Sequence, residues 1–240
     1  MLSANGIFSI DFHRSVGFVR LEDCLTEGLQ IMNSRVAAVL VPCILAISLV
    51  FGNVARGDDA AVEAKLFIEG LADEAVQSVA SLGIDTAERR KRFRKMMLEN
   101  FAFKRIAKWV LGRYWRRATE AERNEYLTLF EDLLVLVYAD RFSKYSGEML
   151  SVGRSEVRGE NDILVHSTIV RTEGLKPISV TWRISQDKKE NDAFKIVDVM
   201  VEGLSMGITQ QKEFSSVIRQ NGNGVQGLLD ELKKRIDANS

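Results

Sequence analysis

Hydrophobic positions along this chain change their period several times, and each change marks an element. An unbroken apolar run comes first: Val36 to Ala55 carries no charge, behind the short basic start Met32-Asn33-Ser34-Arg35. A helical pattern follows. Val62, Leu66, Leu71 and Val76 recur at a spacing near i, i+4 and predict a first helix with these residues along one face. Asp85-Thr86-Ala87-Glu88 has the capping-box pattern that opens a second helix. A third spans roughly 101–111 and stops at Gly112. Thr119-Glu120-Ala121-Glu122 is another capping box and starts the longest helix, about 119–145. On it Tyr126, Phe130, Leu133, Val137 and Phe142 mark one face, while Leu133 to Tyr138 is apolar all round, which predicts burial on every side.

The period then falls to two. Strands are predicted over about 149–158, 163–171, 177–185 and 193–201. In the third, Ile178, Val180, Trp182 and Ile184 alternate with Ser179, Thr181, Arg183 and Ser185. Links as short as Gly159-Glu160-Asn161-Asp162 make the strands antiparallel, because a parallel return needs a dozen or more residues. Two helices, about 205–220 and 224–238, close the chain on either side of Asn221-Gly222-Asn223-Gly224. The expected fold is α+β: a helical N-terminal half, a four-stranded antiparallel sheet and C-terminal helices.

A basic start, an apolar run and small residues at Ala55 and Gly57 are what signal peptidase reads, so residues 32–57 are expected to be a signal peptide cut after Gly57. A retained anchor is the alternative, since the run approaches the roughly 20 residues that span a bilayer. Residues 1–31 carry Arg14 and Arg20 against Asp11, Glu22, Asp23 and Glu27, the wrong flank for an export signal. They are expected to be a mis-called extension ahead of a true start at Met32. The working part is then a single domain, 58–240, delivered across a membrane. Both cysteines, Cys24 and Cys43, precede the cut, so that domain holds no thiol.

Bulk charge says nothing about partners, because Lys+Arg and Asp+Glu are 33 each. Local charge does. Between Arg89 and Arg117 there are twelve basic residues and one acid, Glu99, whereas the rest of 58–240 holds 17 basic and 28 acidic residues. Arg89, Arg90, Arg92, Arg94, Arg113 and Arg116 belong to this basic lobe, interleaved with Phe101, Phe103, Trp109, Tyr114 and Trp115. In an exported protein such a lobe suits anionic lipid headgroups or an acidic partner surface better than nucleic acid. The alternative is a solvated helix face over core aromatics.

Catalytic chemistry is thinly represented. Gly203-Leu204-Ser205-Met206-Gly207 matches the G-x-S-x-G elbow of lipases and esterases between a predicted strand and helix. No histidine follows Ser205, however, and the sheet reads as antiparallel where that fold needs a mostly parallel one. A turn at Gly203 and a helix cap at Ser205 is the simpler reading. His166 is the one histidine after residue 57, so no transition-metal site is expected, and no carboxylate pair or phosphate-binding glycine loop stands out. No catalytic residue and no cofactor is expected.

From about Phe93 to Leu232 the chain resembles the MlaC family, periplasmic phospholipid-binding proteins that serve an ABC transporter and are also known as toluene-tolerance auxiliary components. Two segments carry the resemblance: Ile106-Ala107-Lys108-Trp109-Val110-Leu111-Gly112-Arg113-Tyr114-Trp115-Arg116, leading through Thr119 and Phe130 to Tyr138, and Lys195-Ile196-Val197-Asp198-Val199-Met200-Val201-Glu202-Gly203-Leu204-Ser205, leading to Gln211 and Phe214. The chain also resembles the subgroup linked to hopanoid biosynthesis loci, HpnM. It departs from the family pattern at Ala102, Phe194 and Val197, and at Thr209-Gln210-Gln211, where a tyrosine is usual nearby. These departures bear on which lipid is bound.

The resemblance implies a cavity between a curved antiparallel sheet and the helices, with lipid as cargo rather than a cofactor. Candidate lining residues are Trp109, Phe130, Leu134, Val137, Tyr138, Trp182, Val199, Val201 and Met206, with the arginines named above at the headgroup or a partner. It further implies a periplasmic carrier, not an enzyme, moving a phospholipid or related lipid between an inner-membrane ABC transporter complex, with its lipid-binding subunit, and an outer-membrane lipoprotein complex. Two other functions are weighed beside it: an envelope lipase built on Ser205, and a structural envelope protein whose apolar residues only fill a solid core.

Overall fold

Small residues decide how the first helix lies. In the computed structural model, which describes residues 54–239 except 160, 173, 188–192 and 223, helix α1 spans Val54–Glu74 and ends in a π turn, Ala75–Val79. The described residues belong to one compact unit, Ser48–Ser240. Residues 1–31 and most of the expected signal segment lie outside the described residues; α1 begins ahead of the expected cut after Gly57.

The buried face of α1 is Ala61, Ala64, Ile68, Leu71, then Ala75 and Val79 in the π turn. The stripe expected from the sequence is corrected here. Only Leu71 lies inside, whereas Val62, Leu66 and Val76 are exposed, Leu66 at 59%. The alanines allow α1 to lie close against the first two strands, and weighting the larger side chains hid that face.

Helix α2 (Thr86–Asn100) starts where Asp85 accepts the Glu88 N–H at 2.7 Å. Helix α3 (Phe103–Leu111) stops at Gly112, φ +59°, and runs into a 3-10 turn, Gly112–Arg116. Helix α4 (Glu120–Phe142) has a complete capping box: the Glu122 N–H donates to Thr119 Oγ1 at 3.2 Å, and the Thr119 N–H to Glu122 Oε2 at 2.7 Å. Burial of α4 on every side is corrected. Leu133, Val135 and Leu136 are buried, but Leu134 and Tyr138 are half-buried and Val137 is 38% exposed. The packing partners of α4 are mainly α2 and a C-terminal helix, and they leave one apolar stripe incompletely covered.

The sheet is antiparallel throughout, in the order β1 (Met149–Arg158), β2 (Asp162–Val170), β3 (Ile178–Asp187), β4 (Ala193–Val201) and β5 (Leu204–Ser205). The expected four strands become five. Glu202 and Gly203 take φ +49° and +78°, the two positive values that a tight two-residue hairpin needs, so Leu204 and Ser205 fold back onto Val201 and Met200. A two-residue strand is too short to show a period. Register shifts between Val152 and Ser155 in β1, and between Ile196 and Asp198 in β4, mark bulges, which bend strands locally. Helices α5 (Met206–Asn221) and α6 (Gly224–Asn239) complete the α+β fold.

One hydrophobic cluster joins both halves, from Ile68, Phe93 and Tyr126 to Val165, Ile184, Ile196, Phe214 and Leu229. The joint between α2 and α3 is tied to the sheet, where the Ala102 N–H donates to Ile196 O at 2.9 Å.

Candidate functional site: an apolar wall and a basic groove

Alternation along β2, β3 and β4 gives the sheet one apolar face. Cross-strand register sets Val165 beside Trp182, Trp182 beside Val199, and Val180 beside Val201. The indole N–H of Trp182 donates to Ser167 Oγ at 2.9 Å, and the Ser167 hydroxyl donates to Val180 O at 3.0 Å. With its single polar atom satisfied internally, Trp182 presents only carbon elsewhere. Trp182 and Val199, with Leu150 and Val152 on β1, pack against the core but are only partly buried. On α4, Leu134, Val137 and Tyr138 fall three and four residues apart, hence on one stripe. Tyr138 stacks on Phe93 at 6.4 Å between centroids and has the Arg141 guanidinium 5.2 Å from its ring.

The nine cavity candidates therefore separate. Leu134, Val137 and Tyr138 share the uncovered stripe, and Trp182 and Val199 are neighbours at mid-sheet, with Val201 at the end of β4. Phe130 lies in the solid core, 2% exposed, among Tyr126, Phe214 and Phe103 at 5.6, 5.5 and 6.0 Å. Trp109 is elsewhere. Its ring lies under the Arg183 guanidinium, 5.5 Å away, and Arg183 alternates with Trp182, so it projects from the opposite sheet face. Met206 begins α5.

The basic lobe also divides. Its α2 half is used internally. Arg89 is buried and donates to Val79 O and, at 3.4 Å, to Ile84 O, while Arg92 donates to Ser78 O at 3.1 Å and pairs with Glu88 at 2.8 Å. These two close the carbonyl end of the π turn. Arg94 pairs with Glu131 at 2.5 Å and Asp132 at 2.7 Å, and Arg90 faces Asp140 at 3.5 Å, so α2 is fastened to α4. Desolvation works against the Arg94 charge, but the two carboxylates outweigh it and hold its pKa above the ordinary value.

The other half is different. Arg105, Lys108, Arg113 and Arg116 line an open groove of about 430 Å³ with Trp109, Gly112, Trp115 and Gln211. Among the described residues none of these four cations has a carboxylate partner. Arg105 donates to Ser185 Oγ at 3.2 Å, and Arg113 to Tyr114 Oη at 3.1 Å, a bond that lowers the Tyr114 pKa. Gln211 ties α5 to the end of α3 through Trp109 O at 2.6 Å. Arg123 lies 5.6 Å from the Trp115 ring centroid.

Ser205 serves as a cap. Its hydroxyl donates to Asp198 Oδ2 at 2.7 Å and accepts the Ile208 N–H at 3.0 Å. Buried Asp198 also accepts from the backbone N–H of Gly207 at 3.2 Å and of Val199 at 3.0 Å, so one carboxylate organises the β4–α5 junction. His166 is engaged with Thr181 and Glu156, at 3.1 and 3.4 Å. Among the described residues no group of His, Cys, Asp and Glu could hold a metal ion. Sequence reasoning missed Asp198 and Gly207 as organisers, and Arg105, Lys108 and Gln211 as groove residues. The helical spacing of Arg105 with Lys108, and Arg113 with Arg116, was the available signal.

The family model described as MlaC protein matches residues 69–234. A curated relative, the intermembrane phospholipid transport system binding protein MlaC of Haemophilus influenzae, is 21% identical over 126 residues, 52% of this chain. The aligned part spans 58% of that relative's length. A solved structure, the phospholipid-binding protein from Ralstonia solanacearum in complex with a phospholipid, has a TM-score of 0.64 at 20% identity, covering 73% of this chain and 97% of that one. At that identity the likeness is one of fold.

Proposed function

This chain belongs to the MlaC protein family, and from that premise we propose that it is a periplasmic lipid carrier. It binds a phospholipid, or a related lipid such as a hopanoid, and passes it between outer-membrane and inner-membrane transport complexes. Its partners are an inner-membrane ABC transporter complex with a lipid-binding subunit and an outer-membrane lipoprotein complex. It makes and breaks no bond.

The observation that carries this reading is the incompletely covered apolar stripe Leu134, Val137 and Tyr138 on α4. The half-buried Trp182 and Val199 of the sheet, and Leu150 and Val152 of β1, add to it. Each buried methylene is worth about 0.8 kcal/mol, so two tails of about 16 carbons lose on the order of 25 kcal/mol on exposure to water. A carrier has to cover nearly all of both chains. Side chains that sit against the core yet remain partly open are suited to completing their burial with acyl carbon. In support, the structural neighbour from Ralstonia solanacearum is described in complex with a phospholipid. No helix among the described residues is long and apolar enough to cross a membrane.

A lipase reading would need Ser205 as nucleophile, but its hydroxyl donates to a carboxylate and caps a helix. Transfer of a fluorescent phospholipid between donor and acceptor vesicles tests both ideas. The wild type should accelerate transfer, Ser205→Ala should keep that activity, and Val137→Asp with Tyr138→Asp should abolish it. Transfer that survives the aspartates and vanishes in Ser205→Ala would reverse the assignment.

A further inference from the structure

The four groove cations, which have no carboxylate partner among the described residues, border two tryptophans, a combination that charge alone does not require. We propose that the groove formed by α3, the 3-10 turn and the start of α5 is a docking site for an acidic segment of a partner protein, with apolar residues between its carboxylates. This deepens the docking step of the proposed function and leaves its lipid step untouched.

Four observations support it. The first is unspent charge. Arg89, Arg90, Arg92 and Arg94 are consumed by carbonyls in and just after the π turn and by carboxylates of α2 and α4, whereas Arg105, Lys108, Arg113 and Arg116 face the groove without a carboxylate among the described residues. Two adjacent parts of one basic run thus do different work. The second is shape. Trp109 and Trp115 are half-buried in the groove while Arg105, Lys108, Arg113 and Arg116 are exposed around them. A concavity of about 430 Å³ accepts a short stretch of chain, whereas a flat bilayer surface meets the exposed cations and leaves the recessed rings unfilled.

The third is spacing. Arg105 and Lys108 lie one helical turn apart on α3, about 5–6 Å between β-carbons. Carboxylates two residues apart on an extended chain are separated by about 6.6 Å, a comparable interval. The apolar side chains of such a segment meet the half-buried indoles, which share the groove with the cations. The fourth is the field. The rest of 58–240 holds 17 basic and 28 acidic residues, so an acidic segment is repelled by most of the domain and drawn to this one lobe. Arg183 and Arg123, stacked on the two indoles, add positive charge beside the groove.

The test uses the peptide acetyl-Glu-Leu-Glu-Phe-Asp-Leu-Glu-amide, a counterpart with lysine at every acid, and vesicles containing phosphatidylglycerol. Binding to the exported protein is followed by calorimetry. The acidic peptide should bind and the lysine peptide should not. The affinity should fall by about tenfold in the double variant R105E/K108E, and also as ionic strength rises from about 0.02 M to about 0.3 M. The milder pair R105Q/K108Q should lose less, and it carries the test if the charge reversal lowers the melting temperature. Three results overturn the proposal: no binding of the acidic peptide at low salt, binding indifferent to both double variants, or groove-dependent binding of the vesicles in place of the peptide. Lipid co-purifying with R105E/K108E separates the two ideas. If it matches the wild type while peptide affinity falls, docking stands apart from cargo binding. If the wild type carries no lipid but binds the peptide through the groove, the carrier reading fails and the docking site remains.

Discussion

Gly207→Ala isolates the packing that shapes the groove. Gly207 is the second residue of α5, and an added β-carbon would lie 2.0 Å from Cζ3, 2.5 Å from Cη2 and 2.9 Å from Cε3 of Trp109. Those atoms belong to a rigid ring, which the Arg183 guanidinium stacks upon and which the Gln211 bond anchors through the Trp109 backbone. The ring cannot yield at one flexible end; it has to move as a body. Two effects oppose each other. Gly207 has no positive φ, so alanine gains up to about 1 kcal/mol of helix propensity. Overpacking of a well-packed site costs about 1–3 kcal/mol, and contacts this short fall at the upper end. A net loss of about 2 kcal/mol lowers the melting temperature by roughly 4–8 °C in a domain of this size. Thermal denaturation followed by far-UV circular dichroism measures it. Trp109→Ala should cost less in the Gly207→Ala background than alone, because the clash and the ring are one interaction. A melting temperature unchanged or raised in Gly207→Ala would refute the close seating of Trp109 on α5.

Three further predictions concern other parts of the fold. Arg89→Met, which removes a buried cation from the carbonyls of Val79 and Ile84, should destabilise by about 2–3 kcal/mol in urea denaturation, whereas Arg105→Ala should stay within about 0.5 kcal/mol. Ser205→Ala should cost about 1 kcal/mol by loss of a cap and leave lipid transfer intact. Tyr126 is fully buried, donates to Ala107 O at 3.1 Å, and has its pKa raised by burial well above 10.0. Because the folded pKa lies above the unfolded one, the contribution of this phenol is complete below about pH 10 and is lost as pH rises further. Tyr126→Phe should therefore be less stable than wild type by about 1 kcal/mol at neutral pH, a gap that closes by about pH 11 because each pH unit is worth about 1.4 kcal/mol. A gap that stays constant up to that pH would contradict the burial of an un-ionised phenol.

The sequence was most readable where one residue type has one physical use. Thr119 with Glu122 and Asp85 with Glu88 marked helix starts correctly, Gly112 marked a stop, and the alternation of Ile178 to Ser185 marked a strand. It was least readable where burial depends on a distant neighbour. The alanine face of α1 gives no strong hydrophobic signal, so Val62 and Leu66 took its place. Leu133 to Tyr138 looks the same all round, and only the packing partners of α4 decide which side stays open. Two bulges and a two-residue strand leave no period to detect.

The site was legible as chemistry and not as geometry. The basic lobe was visible as a charge run, but its division between α2, where Arg90 and Arg94 pair with Glu131, Asp132 and Asp140, and the groove, where the cations have no carboxylate partner among the described residues, depends on acids far along the chain. The resemblance implies one cavity lined by both Trp109 and Trp182. Alternation at Trp182 and Arg183 puts them on opposite faces of the sheet. Asp198 was only a motif letter until its three donors were seen.

A lipid carrier holds its cargo against the apolar wall and the stripe on α4. Native mass spectrometry of the protein purified without detergent tests whether this chain does. The expected mass lies above that of the polypeptide, with a non-covalent adduct that fragments as a phospholipid or related lipid. A clean polypeptide mass under the same gentle conditions, unchanged after incubation with phospholipid vesicles, would contradict it.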